Sequence, residues 1–186
     1  MDCTKCDSKG CRRLSPCNDN SSQYIDEYEN DDNNKYITSA SALVDEGRAG
    51  TMTRLDEIIE YSRLMGYVKI GVAYCYAMEK EASILRDILV QKGFKPTMVS
   101  CTIDGISESR INQSKQKQIV SCNPLGQANM LNKSKVDFVM LMGLCLGHDI
   151  LLQKNLKADF TTFIVKDRVL KHNPILALKD AAPEKV

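Results

Sequence analysis

Val68-Lys69-Ile70-Gly71-Val72-Ala73-Tyr74 reads as a buried strand, and Cys75 closes it. On its N-terminal side Met52, Leu55, Ile58, Ile59 and Met65 recur at helical spacing and stop at Gly66. On its C-terminal side Ala82, Leu85, Ile88 and Leu89 do the same and stop at Gly93, where a glycine closes a helix in the left-handed conformation. The alternation continues. A second strand is expected at 97–101, a third at 118–121 and a short helix over 124–133. The strongly apolar Asp137-Phe138-Val139-Met140-Leu141-Met142 is a fourth strand, followed by a short helix near 149–156. A fifth strand over 161–165 and a last helix from Pro174 complete the pattern.

Strands separated by helices pair in parallel, because every return needs a crossover, and crossovers are right-handed. Near-continuous apolar strands suit a sheet covered on both faces. The expected fold is α/β: an open three-layer α/β/α, Rossmann-like domain over 37–186 with a mainly parallel sheet of about five strands. A closed eightfold barrel, typically about 250 residues, is excluded by length. The pattern leaves strand order open.

Ahead of this domain lie two other zones. Residues 1–17 hold four of the eight cysteines and are expected to form a short metal-binding segment. Residues 18–36 carry Asp19, Asp26, Glu27, Glu29, Asp31 and Asp32 and read as an acidic polar linker. A net charge of +1 with no basic stripe offers no footprint for nucleic acid. No run approaches the roughly 20 apolar residues of a membrane span, and the N-terminus has no signal-peptide apolar region. A cytoplasmic location is expected, where thiols stay reduced and clustered cysteines point to metal or catalysis more than to disulfides.

Cys3, Cys6, Cys11 and Cys17 follow the spacing C-x2-C-x4-C-x5-C. Four thiols so close can wrap one zinc ion or one iron–sulfur cluster, and Lys5, Lys9, Arg12 and Arg13 among them offset thiolate charge. The spacing matches neither zinc-ribbon pairs nor the ferredoxin run, so it does not choose between the two. The plain alternatives are a flexible tail of reduced cysteines or, in an exported protein, a pair of disulfides.

The other four cysteines fall at strand ends: Cys75, Cys101 and Cys122 close the first three expected strands, and Cys145 lies just past the fourth. In a parallel sheet all C-terminal ends share one edge, where ligand crevices form. Any one of them alone would be inert packing. Four neighbouring strands at about 4.8 Å would spread the thiols over roughly 14 Å; if the first and third strands are neighbours at a switch point, the best-placed pair is Cys75 with Cys122, which Cys145 could join on a loop made pliable by Gly143 and Gly147. Cys122 precedes Asn123-Pro124, an N-cap and first-turn proline, and the helix dipole there is expected to make it the most acidic of the four. His148 could ligate metal or move protons, or merely bond to backbone; Asp149 could be catalytic or cap its helix. Lys166 and Arg168 could hold a small anionic ligand, balance an anionic cluster, or merely pair with Asp167.

The stretches Cys122-Asn123-Pro124-Leu125-Gly126-Gln127-Ala128, Gly143-Leu144-Cys145-Leu146-Gly147-His148-Asp149 and Val165-Lys166-Asp167-Arg168-Val169-Leu170-Lys171-His172-Asn173-Pro174 resemble a cysteine-rich prokaryotic family. It is catalogued as domain of unknown function eighteen-forty-seven and described as predicted metal-binding. Gly71-Val72-Ala73-Tyr74-Cys75 and Gly93-Phe94 fit the same pattern, while Thr102 stands where the pattern leads one to expect lysine. The resemblance implies metal or cluster binding, with cysteine at 75, 101, 122 and 145, and implies no established reaction.

Three functions are therefore in view. The first is an iron–sulfur or zinc protein with the N-terminal thiols as one site and Cys75, Cys101, Cys122, Cys145, Lys166 and Arg168 as a second that is redox-active or binds a small ligand. The second is a thiol enzyme with Cys122 or Cys145 as nucleophile, His148 as base and a structural N-terminal site. The third is a non-enzymatic metal carrier or sensor. Oligomeric state is not legible.

Overall fold

The computed structural model describes residues 2–17, 21–112, 114–116 and 118–181. The chain divides into two units, Met1–Thr51 and Met52–Val186.

In the first unit, 3₁₀ turns at Cys3–Lys5 and Gly10–Arg13 are followed by helices α1 (Ser21–Tyr28) and α2 (Asp31–Ser41). The stretch expected to be a linker thus carries α1 and the start of α2, while residues 18–20 lie outside the described residues. Local chemistry explains the helices. Asn30 caps α2 by accepting from the Asp32 N–H at 3.0 Å, and Asp31 and Asp32 sit in the first turn, where the helix dipole favours acid. Asn33 and Asn34 donate to the Glu27 and Tyr28 carbonyls at the end of α1, at 2.9 and 3.3 Å.

In the second unit α3 (Arg54–Met65) starts with a capping box between Thr53 and Asp56 and stops at Gly66, whose φ is 78°. Then follow β1 (Lys69–Tyr74), α4 (Glu79–Gln91), β2 (Lys95–Ser100), the one-turn helix α5 (Glu108–Ile111) and α6 (Pro124–Lys133). β3 (Phe138–Met142), α7 (Leu146–Gln153), β4 (Asp159–Ile164) and α8 (Ile175–Asp180) complete the unit. The sheet is fully parallel with order β2-β1-β3-β4.

Among the described residues four strands form the sheet, not five. The run expected as a strand at 118–121 makes one isolated antiparallel bridge, Val120 to Ser107. Its backbone bonds go to Ile106 and Glu108, and Ile119 and Val120 remain more than half exposed. Two apolar residues bury too little surface to hold a strand against the sheet, so β2 stays an edge.

Alternation along the strands builds a core on each face. Ile70, Val72, Phe138, Met140 and Met142 pack with Ile58 and Ile59 of α3 and Ala82, Leu85 and Leu89 of α4. Ala73, Val99, Val139 and Leu141 pack with Ala128 and Leu131 of α6 and Leu152 of α7. The result is the expected α/β/α sandwich. Gly71 lies on the α6 side; a Cβ there would stand 2.7 Å from Leu131 Cδ2, so its missing side chain lets α6 lie close. Among the described residues, no helix is long and apolar enough to cross a membrane.

Candidate functional site

The chain passes from β1 out to β2 and returns to lay β3 on the other side of β1, which makes the C-terminal ends of β1 and β3 the switch point where ligand crevices open in such sheets. Backbone bonds join the strand ends into one rim. The Cys75 N–H donates to Met142 O at 3.0 Å, the Cys101 N–H to Tyr74 O at 2.9 Å, the Asn123 N–H to Cys101 O at 2.7 Å, and the Gly143 N–H to Ile164 O at 2.8 Å. Cys75, Cys101 and Cys145 therefore follow three adjacent strands. Cys122, which ends no strand, enters from the segment before α6.

The four thiols and two cations meet along this rim. Lys166 Nζ lies 3.0 Å from Cys75 Sγ and 3.4 Å from Cys145 Sγ, so those sulfurs are no farther apart than the two contacts laid end to end. Arg168 reaches Cys145 Sγ at 3.9 Å. Cys122 Sγ is 3.5 Å from Cys101 Sγ, which also accepts the Tyr76 N–H at 3.4 Å. The pairing differs from the expectation: Cys122 partners Cys101, not Cys75, because the strand that would have carried it beside β1 does not form.

Acidity also departs from the expectation. Burial pushes the Cys122 thiol up, with the Cys145 and Cys75 charges adding to it against the contacts from Cys101 and Lys166. Asn123 caps α6 as expected, its Oδ1 accepting the Gly126 N–H at 2.8 Å. The helix-dipole argument thus loses to desolvation. Cys75 is the thiol held low: burial opposes its thiolate, but the Lys166 ammonium and the Ala77 N–H outweigh it. Burial, with Cys122 and Cys75 nearby, pushes Cys101 up to about 12. Lys166 is raised; burial works against its charge and the Cys75 and Cys145 sulfurs overcome it.

The loop after β4 is built to aim its cations. Asp167 Oδ1 accepts the Val169 and Leu170 N–H groups at 3.0 and 2.8 Å, which closes a turn and leaves Lys166 and Arg168 directed at sulfur. His172 Nδ1 lies 2.9 Å from Val165 O and 3.1 Å from the Asp167 N–H; protonated it donates to the first, unprotonated it accepts from the second, and either bond ties the loop. Gln127, fully buried, donates to Val99 O at 2.9 Å and Tyr74 O at 3.3 Å and so fixes the ends of β2 and β1. Neither His172 nor Gln127 carries a local signal of this positioning role. Asp149 does not cap α7; its carboxylate accepts from Gln153 one turn on, at 3.1 Å. His148, in the first turn of α7, has its Nδ1 buried with no hydrogen-bond partner.

In the first unit the N-terminal thiols sense one another: the Cys17 thiol is raised first by Cys11, then by burial, Cys6 and Cys3. Cys6 is lowered by the Ser8 hydroxyl and by backbone N–H groups of Lys9 and Ser8. Lys9 Nζ donates to the Cys3 and Thr4 carbonyls and Arg13 to Ser8 O, which folds the segment back on itself. Among the described residues, no three His, Cys, Asp or Glu side chains stand ready to hold a metal ion as they are.

The profile of a family described as "Protein of unknown function (DUF1847)" matches residues 13–163. That span holds the four rim cysteines and Cys17, with Cys3, Cys6 and Cys11 ahead of it. The uncharacterised protein MJ0455 of Methanocaldococcus jannaschii is 44% identical over 179 residues, covering 93% of this chain and 91% of its own. No solved structure matches.

Proposed function

We propose, for a chain that belongs to the DUF1847 family of proteins of unknown function, that it is a metal–thiolate protein of the reducing cytoplasm. Cys3, Cys6, Cys11 and Cys17 hold an iron–sulfur cluster or a zinc ion. Cys75, Cys101, Cys122 and Cys145 form a second, redox-active centre, with Lys166 and Arg168 balancing its charge or holding a small anion. The observation that carries this reading is two thiol pairs on one rim, Cys75 and Cys145 bridged by Lys166 with Arg168 beside Cys145, and Cys122 3.5 Å from Cys101.

The donor chemistry fits. Zn–S bonds of about 2.3 Å set tetrahedral sulfurs about 3.8 Å apart, close to the 3.5 Å between Cys101 and Cys122. Loading would require the Lys166 ammonium to leave its place between Cys75 and Cys145, which a flexible lysine stem allows. Bound there, zinc would hold the thiolates inert and an iron–sulfur cluster would exchange single electrons. Iron, zinc and acid-labile sulfide measured on protein purified without oxygen test the reading directly. Substoichiometric metal and sulfide in both the whole chain and a Cys3/Cys6/Cys11/Cys17→Ser variant would overturn it.

A second reading, a thiol enzyme, is favoured by one contact: Lys166 on Cys75 makes Cys75 the nucleophile of choice over Cys122 or Cys145. A colourless, metal-free protein that consumes a thiol-reactive substrate and loses that activity in Cys75→Ser would select it.

A further inference from the structure

We propose that Cys101 and Cys122 are a dithiol–disulfide couple that exchanges two electrons with small-molecule disulfides, with Cys122 as the entering thiol. The inference concerns the rim of the reading above but needs no metal there.

Three observations carry it. The two sulfurs are 3.5 Å apart, against about 2.05 Å in a disulfide, so closing the pair asks for an approach of about 1.5 Å. The backbone around them is already fixed: the Asn123 N–H bonds Cys101 O at 2.7 Å, and the Ser121 N–H bonds Ile106 O at 2.8 Å. The Asn123 side chain adds bonds to Asp104 Oδ2 at 3.1 Å and Ile103 O at 3.4 Å. Access is asymmetric, since Cys101 is 2% exposed whereas Cys122 is partly open to solvent. An external disulfide therefore meets Cys122 first, and Cys101 is placed to resolve what forms.

The exchange balances in two steps. The Cys122 sulfur attacks RSSR, forming Cys122–S–SR and expelling RS⁻, which carries off the Cys122 proton as RSH. The Cys101 sulfur then attacks the Cys122 sulfur, forming the Cys101–Cys122 disulfide and expelling a second RS⁻ that leaves with the Cys101 proton; because burial keeps both thiols protonated, exchange is slow at neutral pH and quickens as pH rises. One RSSR is reduced to two RSH, and two thiols are oxidised. The bond would close the segment between β2 and α6 and remove two donors from the rim, so disulfide and metal exclude each other.

The test uses the full chain, stripped of metal by chelation without oxygen and poised in mixtures of oxidised and reduced glutathione. After an acid quench, alkylation and tryptic digestion, each of the four rim cysteines lies on a different peptide, being separated by Lys80, Lys92, Arg110, Lys117, Lys133 and Lys135. The expected result is joint loss of alkylation at Cys101 and Cys122, with one peptide pair linked through them. Cys101→Ser should leave glutathione trapped on Cys122. The proposal falls if wild-type Cys122 keeps its glutathione, if Cys101 links to Cys75 instead, or if both stay reduced at every mixture. Such a failure leaves the metal analysis untouched, and a linked pair in a protein that never binds metal would sink the metal reading of the rim alone.

Discussion

Gly71→Ala adds one methyl group at the tightest point between the sheet and α6. The new Cβ would lie 2.7 Å from Leu131 Cδ2 and 3.2 Å from both Val136 Cγ2 and Val139 Cγ2, against roughly 3.5–4.0 Å for carbon atoms at their optimum. Leu131 has no exposure and is packed among Ala128, Val139, Leu141 and Leu152, so it moves only by displacing α6. Overpacking of this kind typically costs about 1–3 kcal/mol. Gly71 does not use a left-handed backbone, so alanine returns about 0.4–1 kcal/mol by restricting the unfolded chain. The net expectation is a loss of about 1–2 kcal/mol, or a fall of about 2–8 °C in Tm, read by urea and thermal unfolding of the reduced protein. Leu131→Val removes the atom in the way. The double variant should therefore be more stable than the two single losses together imply, by at least about 0.5 kcal/mol. Because α6 also carries the start that sets Cys122 beside Cys101, Gly71→Ala should slow formation of their disulfide. A single variant as stable as wild type, or strict additivity with Leu131→Val, would refute the account of why α6 lies so close.

Asn123→Ala removes the cap of α6 and the bonds to Asp104 and Ile103; the expected cost is about 1–2 kcal/mol by urea unfolding, and an unchanged midpoint would show that the clamp adds nothing. Lys166→Met removes the ammonium that holds the Cys75 thiol low. A depressed acid contributes stability that is complete above its unfolded value, about 8.5 for a thiol, and fades as pH falls through the folded value. The variant's deficit should thus be largest near pH 8.5 and shrink toward acid, whereas a deficit independent of pH would assign Lys166 a packing role only. Above that range the raised Cys101 and Cys122 lose stability in both proteins, so the comparison is read below it. Deleting residues 1–20 should remove part of the bound metal and leave cooperative unfolding of the second unit; unchanged metal content would place all of it at the rim.

Much of this was legible in the sequence because the deciding interactions are local. The helical spacing that stops at Gly66 and the apolar run before Cys75 need no distant partner to be recognised. The common edge of Cys75, Cys101 and Cys145 follows from parallel pairing alone. The rest turns on tertiary choices. Ile119-Val120 has the same local signature whether it joins β2 or bridges to Ser107, and the number of strands turned on that choice. The helix after Cys122 favours its thiolate, but burial and the neighbouring sulfurs push the thiol up. The contact between Lys166 and Cys75 spans 91 positions and depends on Asp167 and His172 folding their loop, which no spacing announces.

The free edge of β2 has a consequence for how the protein keeps to itself. Lys95 N–H bonds Val68 O and Cys101 N–H bonds Tyr74 O, so the odd-numbered residues of this strand face β1 and Pro96, Met98 and Ser100 face outward. An exposed row of backbone donors and acceptors is a template on which another chain can add a strand and begin to aggregate. Proline has no N–H, and inside a sheet it would break the ladder. Placed at 96 it costs the native pairing nothing and takes one donor from the edge where a stray strand would have to start.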